Sequence, residues 1–477
     1  MSDNLRSLSQ KLKSGETDPV KLTREYLEKI ESLDKKINSF IDVEKDEALK
    51  AAEESKKRYE AGSPLSDFDG IIVGIKDNIV QKGRASQAAS KILENFVSPY
   101  SATVINKLQD AGMITLGRLN MDEFAMGSST ENSSVKTTKN PFDLERAPGG
   151  SSGGSAASVS AGLVPVSLGS DTGGSIRQPA AFCGITGLKP TYGTVSRYGL
   201  IAFASSLDQI GPLSTCVDDA EIIYDIIKGH DDFDSSSVPA KDFQDKDIEP
   251  ENLKIGYPPE MLEGLDEEIK KSFFEVLDYL KKEVCKNEIK EIELPYQKYS
   301  VPVYYLTATS EASANLARFD GVRYGNRDKS AKDLEELYEL SRTNGFGDEV
   351  KRRILLGTFA LSSGYYDAFY GKAQKLRKLI QDDYKKAFAD IDVIILPTTP
   401  TVPFKIGEKT TDPVSMYMSD VLTVGASLAG VPALSLPSPF EKLPVSVQLQ
   451  GPFFSEKTLF NLGRKIEAAY PAKKPAL

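Results

Sequence analysis

The chain of 477 residues has one histidine, three cysteines and no tryptophan. The single histidine excludes most. A Ser-His-Asp triad has almost no raw material here, and a multi-histidine metal site has none. His230 follows Gly229, which looks like a helix stop, so it is expected in an exposed loop. Cys183, Cys216 and Cys285 are widely spaced and odd in number. They suit neither a disulfide framework nor a zinc site, and point to a reducing cytoplasm. Basic residues are also short: 59 Lys and Arg stand against 69 Asp and Glu, a net charge of −10. That argues against a free-standing nucleic-acid binder. Apolar runs such as Val393 to Leu396 are far too short to span a membrane. The opening MSDNLRSLSQKLKSG is polar and amphipathic, without a secretory apolar core. No internal repeat is visible.

Glycine, serine and other small residues are plentiful in one stretch, Arg146 to Gln178. It holds two clusters, Gly149-Gly150-Ser151-Ser152-Gly153-Gly154-Ser155 and Thr172-Gly173-Gly174-Ser175. Between them Ala156 to Ala161 suits a tightly packed helix, stopped by Gly162 in the left-handed region. Leu163 to Leu168 reads as a buried strand. The order loop, helix, strand, loop, helix brings Ser151 and Ser175 to one edge of a sheet, where open α/β sheets place their sites. Ser175 is expected to begin the next helix, where backbone N–H groups favour an anion.

The rest alternates in the same way. Asp18-Pro19 starts a helix. Strands are expected at 37–43, 113–116, 253–256, 289–294, 392–396 and 445–449, with 70–79 a β-rich run. Helices are expected at 46–60, 101–111, 218–228, 266–282, 304–318, 349–362, 372–387 and 456–469. Gly187 to Gly193 reads as a turn-rich segment, and Asp231 to Asn252 as an acidic surface connection. This is an α/β chain.

Ser175 fits a nucleophile. The backbone N–H groups of Thr172, Gly173, Gly174 and Ser175 could hold the oxygen of a tetrahedral intermediate, and the glycines leave room for a substrate carbonyl. A plain Gly-rich turn and a phosphate cradle are the alternatives, though neither GxxxxGK[ST] nor GxGxxG follows a strand. Without histidine, serine needs another base. Lys76 lies among Ile71, Ile72, Val73, Ile75 and Ile79. Burial lowers a lysine's pKa and keeps the amine neutral; the alternative is a lysine snorkelling to water. Ser151 could relay the proton, since a hydroxyl both donates and accepts.

Lys76, Gly149 to Gly154 and Asp171-Thr172-Gly173-Gly174-Ser175-Ile176-Arg177, followed by Gly187-Leu188-Lys189-Pro190-Thr191, resemble the amidase signature family. The resemblance implies a large mixed β-sheet covered by α-helices. It implies one domain over 1–477, with a helical segment at about 1–60, a catalytic core at about 61–230 and a pocket-forming and closing part at about 250–470. It makes Ser175 the nucleophile, Ser151 the bridging serine in a cis peptide, Lys76 the base, and Asp171 and Arg177 a supporting pair or a plain structural salt bridge. No metal or cofactor is implied in this chain. Within the family, Asn120 to Glu131, Ser310 to Ser313, Arg318 to Gly321 and Leu356 to Gly364 resemble the glutamine-hydrolysing subunits of tRNA-dependent amidotransferases. That branch holds glutamine with a tyrosine, an arginine and an aspartate, which map to Tyr305, Arg353 and Asp420, with Tyr304 and Arg352 as near alternatives. It works as a cytoplasmic heterotrimer in protein biosynthesis. Two partner subunits hold the Glu-tRNA(Gln), or Asp-tRNA(Asn), and use ATP and Mg²⁺. The other readings are a stand-alone amidase on small or aryl amides and a non-catalytic phosphate-binding module. The residues depart from the family's usual pattern at Val424 to Ser427, Pro444 to Ser446 and Phe453.

Overall fold

The computed structural model describes residues 3–243 and 247–477. Part of the expected Asp231-to-Asn252 connection, residues 244–246, lies outside the described residues. Eleven strands among the described residues form one sheet. They are β1 (Phe40–Val43), β2 (Ile72–Lys76), β3 (Ile114–Leu119), β4 (Val166–Asp171), β5 (Thr186–Lys189), β6 (Gln209–Ser214), β7 (Ile255–Tyr257), β8 (Lys290–Glu291), β9 (Val393–Pro397), β10 (Ala433–Pro437) and β11 (Ser446–Gln450). Their spatial order is β1-β3-β2-β4-β6-β5-β10-β11-β9-β7-β8. Pairing is parallel for β3-β2-β4 and for β9-β7-β8, and antiparallel elsewhere. The sheet is mixed and covered by helices, the α/β architecture expected.

The local chemistry explains the elements. Asp18 accepts from the N–H groups of Val20 and Lys21 and starts the helix Pro19–Ile37. That helix takes Ile37, which the sequence placed in a strand, and ends at Asn38 with φ 61°. Strands β2 and β9 are buried at every position, as sheet covered on both faces requires. The helix Gly153–Ser160 is also buried at every position and packs on β2, β4 and β6. A Cβ at Gly154 would lie 2.4 Å from the Asn120 carbonyl oxygen, so this helix tolerates only small residues where it meets the sheet.

Several boundaries differ from the expectation. Gly187 to Lys189 is not a turn but the body of β5, paired with both β6 and β10. The strand after the small-residue helix starts at Val166 rather than Leu163 and runs on to Asp171. Two strands (β6 and β10) and the helices Leu5–Ser14, Leu334–Gly345 and Val424–Ala429 have no counterpart in the sequence expectation. Strand β10, ALSLP, is a short apolar run between prolines, which periodicity cannot assign. No helix among the described residues is long and apolar enough to cross a membrane.

Candidate active site

Lys76 is the last residue of β2 and its side chain is fully buried. Its Nζ lies 2.8 Å from Ser151 Oγ, 2.8 Å from Ser152 Oγ and 2.9 Å from Ser170 Oγ. Burial drives its pKa down to about 7, against the opposing charges of Asp122, Asp171 and Asp208. The snorkelling alternative is excluded, because the amine ends among hydroxyls inside the protein. The Ser170 carbonyl lies farther off, at 3.4 Å, so the three hydroxyls are the near partners of this nitrogen. Ser152 Oγ donates to the Ser170 carbonyl at 3.1 Å, so its oxygen is left to accept from Lys76. Ser170 Oγ accepts from both Lys76 and Asn78. A neutral amine has two N–H groups and one lone pair. If Ser152 and Ser170 take the two N–H groups of the neutral amine, its lone pair is left for Ser151 Oγ, 2.8 Å away.

Ser151 is held by its surroundings. The Gly150–Ser151 peptide is cis. Gly150 N–H donates to Gln178 Oε1 at 2.8 Å, and Thr130 Oγ1 donates to the Gly149 carbonyl at 2.8 Å. The Ser151 carbonyl accepts from Asp122 N–H at 3.2 Å. Asp122 is buried and accepts from the N–H groups of Ser129, Thr130 and Asn132. Burial raises its pKa to about 6 despite those bonds. A Cβ at Gly150 would sit 2.1 Å from Asp122 Oδ2, which fixes glycine there.

Ser175 lies on the same sheet edge, in the bend between β4 and the helix Arg177–Phe182. It does not begin that helix, as expected from the sequence; Asp171 Oδ2 accepts from Ile176 N–H at 3.2 Å and delays the helix to Arg177. The Ser175 carbonyl accepts from Ser152 N–H at 3.1 Å, which joins the two glycine-serine clusters. The residue is 7 % exposed, and its hydroxyl makes no hydrogen bond to Ser151 among the described residues. Such bonds often tighten only when substrate is bound. The N–H groups of Thr172, Gly173, Gly174 and Ser175 donate to no group among the described residues. The two glycines do not leave empty space. A Cβ at Gly173 would lie 2.5 Å from the Tyr304 ring, and one at Gly174 2.3 Å from Thr423 Oγ1. They leave room for the protein's own side chains, Tyr304 and Thr423, which the sequence did not suggest.

Asp171 and Arg177 clamp this bend. Arg177 Nε and Nη2 donate to the two Asp171 oxygens at 3.0 Å each, with both side chains fully buried. Burial alone would raise the Asp171 pKa, but the Arg177 charge and hydrogen bonds hold it below the usual range. Arg177 also donates to the Thr423 carbonyl, Gln448 Oε1 and Ser427 Oγ. Ser427, one of the departures from the family pattern, therefore lies in the clamp. Phe453 is half exposed and packs beside Gly430, and Ser446 Oγ is buried without a partner among the described residues.

Arg353 and Asp420 lie within electrostatic reach of each other and of Tyr304. Arg353 is buried, while Arg352 on the same helix points outward to Glu349. Arg353 donates through Nε to Glu349 at 2.7 Å and its guanidinium stacks over Tyr305, Tyr417 and Phe203. Its two Nη atoms donate to nothing among the described residues. Tyr305 stacks on Tyr417 with ring centres 4.0 Å apart, and its buried hydroxyl has no partner among the described residues. Tyr304 instead packs edge-on against Tyr305 and covers Gly173. Asp420 accepts from Ser128 Oγ at 2.7 Å, and burial raises its pKa to about 7 against Ser128 and the Arg353 charge. A buried cation with free donors and a buried carboxylate thus face one region. That pairing suits the two charged ends of an α-amino acid. A cavity of ≈ 920 Å³ is lined by Met418, Val421 and Leu422 of the Asp420 turn, but by none of Lys76, Ser151, Ser175 and Asp420.

Sequence reasoning missed the residues that orient these groups: Ser152, Ser170, Asp122, Gln178, Ser128 and Thr423. Ser152 and Ser170 lay beside residues already singled out, and a lysine needing buried acceptors was the signal. Thr423 carried none.

This fold and site match one class of protein. The amidase family description fits residues 21–460, and the chain belongs to that family. Within it, the chain is 51% identical over 97% of its length to the A subunit of glutamyl-tRNA(Gln) amidotransferase from Carboxydothermus hydrogenoformans, covering 96% of that protein. It is 53% identical over 98% of its length to the corresponding protein of Geobacillus kaustophilus, covering 97% of it. The crystal structure of the Thermotoga maritima counterpart superposes with TM-score 0.78 at 42% identity, covering 95% of this chain and 92% of that one.

Proposed function

We propose that the chain is the glutamine-hydrolysing A subunit of a glutamyl-tRNA(Gln) amidotransferase. The observation that supports this reading beyond the amidase class is the buried Arg353, its Nη donors unused, within electrostatic reach of the buried Asp420. Arg353 takes the α-carboxylate and Asp420 the α-ammonium, with Tyr305 beside the guanidinium. The side-chain amide of glutamine then reaches the Thr172-to-Ser175 bend.

There Ser175 Oγ attacks the amide carbon. Its proton passes to Ser151 Oγ, whose own proton goes to the Lys76 lone pair. The unpaired N–H groups of the bend take the developing oxyanion, each such donor being worth about 3–4 kcal/mol elsewhere. Protonated Lys76 returns the proton through Ser151 to the leaving nitrogen, and ammonia departs. Water then repeats the path: it attacks the acyl-Ser175 carbon, gives up a proton toward Lys76, and releases glutamate as the Ser175 hydroxyl is restored. Asp171 and Arg177 hold the bend and take no proton.

The ammonia passes to two partner subunits that hold misacylated tRNA and use ATP and Mg²⁺ in the cytoplasm. The net charge of −10 fits a chain that leaves the tRNA to its partners. The test is glutaminase activity and tRNA binding of the chain alone and co-purified with its two partners. Glutamate release coupled to Gln-tRNA formation is expected in the complex, and tight salt-dependent tRNA binding by the isolated chain would contradict the assignment of tRNA to the partners. A stand-alone amidase would hydrolyse simple amides as fast as glutamine.

A further inference from the structure

Thr423 is fully buried and lies three residues after Asp420. It is tied on every side. Its N–H donates to the Asp420 carbonyl at 3.0 Å, and its carbonyl accepts from Arg177 Nη1 at 2.9 Å. Its hydroxyl oxygen lies 2.6 Å from the Gly173 carbonyl oxygen and 3.0 Å from that of Asp420. A hydroxyl has one proton to donate, and the shorter contact is to Gly173.

That contact bears on the bend in a specific way. The peptide between Gly173 and Gly174 has no side chain on either side, and glycine accepts both signs of φ. Left alone, this unit is free to rotate in place. It is a trans peptide, since the one cis bond of the described residues is Gly150–Ser151. In a trans peptide the carbonyl and the N–H point opposite ways. Pinning the Gly173 carbonyl on Thr423 therefore fixes the direction of the Gly174 N–H, away from Thr423. That N–H is one of the four that find no partner among the described residues.

We infer that Thr423 is a positioning residue that aims the Gly174 N–H at the carbonyl oxygen of the bound amide. It also couples that aim to substrate recognition, because the same side chain sits on the turn that carries Asp420. The inference rests on the glutaminase reading. Packing alone does not account for the residue: valine has the same shape, and the 2.6 Å contact needs a hydroxyl.

The test uses the complex co-purified with its partners, with wild type, Thr423→Val, Thr423→Ala and Thr423→Ser compared for kcat and KM on glutamine. Losing one aimed oxyanion donor lowers kcat by about a hundredfold in Thr423→Val and Thr423→Ala. KM stays within about threefold, because the interaction is made in the transition state. Thr423→Ser keeps the hydroxyl and recovers kcat to within about tenfold of wild type. The inference is overturned if either hydroxyl-free variant keeps kcat within about threefold of wild type, if the loss falls only on KM, or if serine does not rescue. If Thr423→Val does not fold, the alanine and serine pair decides alone. A wild-type complex that does not hydrolyse glutamine overturns the underlying reading instead, an outcome no Thr423 variant mimics.

Discussion

Lys76→Met keeps the length and shape of the side chain and removes the amine. In the wild type the Lys76 pKa is brought from 10.5 to about 7 by burial. If the neutral amine is the base, kcat at saturating glutamine follows its neutral fraction. That fraction is about a tenth at pH 6 and about a hundredth at pH 5, so kcat falls by those factors below a plateau above pH 8. Lys76→Met loses the base at every pH, and kcat on the plateau falls by about 10²–10⁴. Stability gives an independent reading of the same group. The folded chain releases this proton near pH 7 and the unfolded chain near 10.5. Between those values the unfolded chain binds more protons, so stability rises with pH across that window. The lowering is worth on the order of 5 kcal/mol when the whole window is crossed. Lys76→Met lacks this slope, so its melting temperature relative to wild type is highest at pH 6 and declines toward pH 10. The assays are a pH–rate profile at saturating glutamine and thermal melts of both proteins across the same range. A wild-type kcat that is flat from pH 8 to pH 5, or equal pH slopes of stability in the two proteins, refutes the neutral-base argument.

Three further outcomes are expected. Ser175→Ala abolishes glutamate release while the fold persists; a folded variant with near-wild-type glutaminase removes the mechanism. Ser151→Ala costs less, and the double variant matches Ser175→Ala because members of one catalytic unit are not additive. Arg353→Ala and Asp420→Ala each weaken glutamine by about 1.5–3 kcal/mol in kcat/KM through a lost charged hydrogen bond, with little effect on an amide lacking the amino-acid head, and equal losses on both substrates would favour a stand-alone amidase.

Lys76 and Ser151, which the structure brings within 2.8 Å of each other, were legible because their local patterns are severe. A lysine inside an isoleucine run has few explanations, and a helix of small residues between two glycine-serine loops forces both loops to one sheet edge. What was not legible came from distant chain. Asp171 delays the helix that Ser175 was expected to begin, a side-chain bond that no periodicity reports. The choice of Arg353 over Arg352 depended on which face of the helix Asp348–Leu361 meets the helix Ser300–Leu316, and two adjacent arginines look alike until that packing is known. The second constraint on the glycines was hidden for the same reason, since Tyr304 and Thr423 reach Gly173 and Gly174 from far along the chain.

Strand β5 has one early neighbour and one late one. It pairs with β6, which follows soon after it, and with β10, of which Ala433 faces Lys189. During synthesis from the N-terminus, the first half of the sheet therefore waits with one open edge until the last tenth of the chain arrives. Lys76, Ser151 and Ser175 have all been made by then, yet Gln448, one of the acceptors that Arg177 grips, has not. A ribosome-bound chain thus carries Lys76, Ser151 and Ser175 before the clamp on Arg177 is complete, and the closing segment that caps the open edge also supplies its last acceptor.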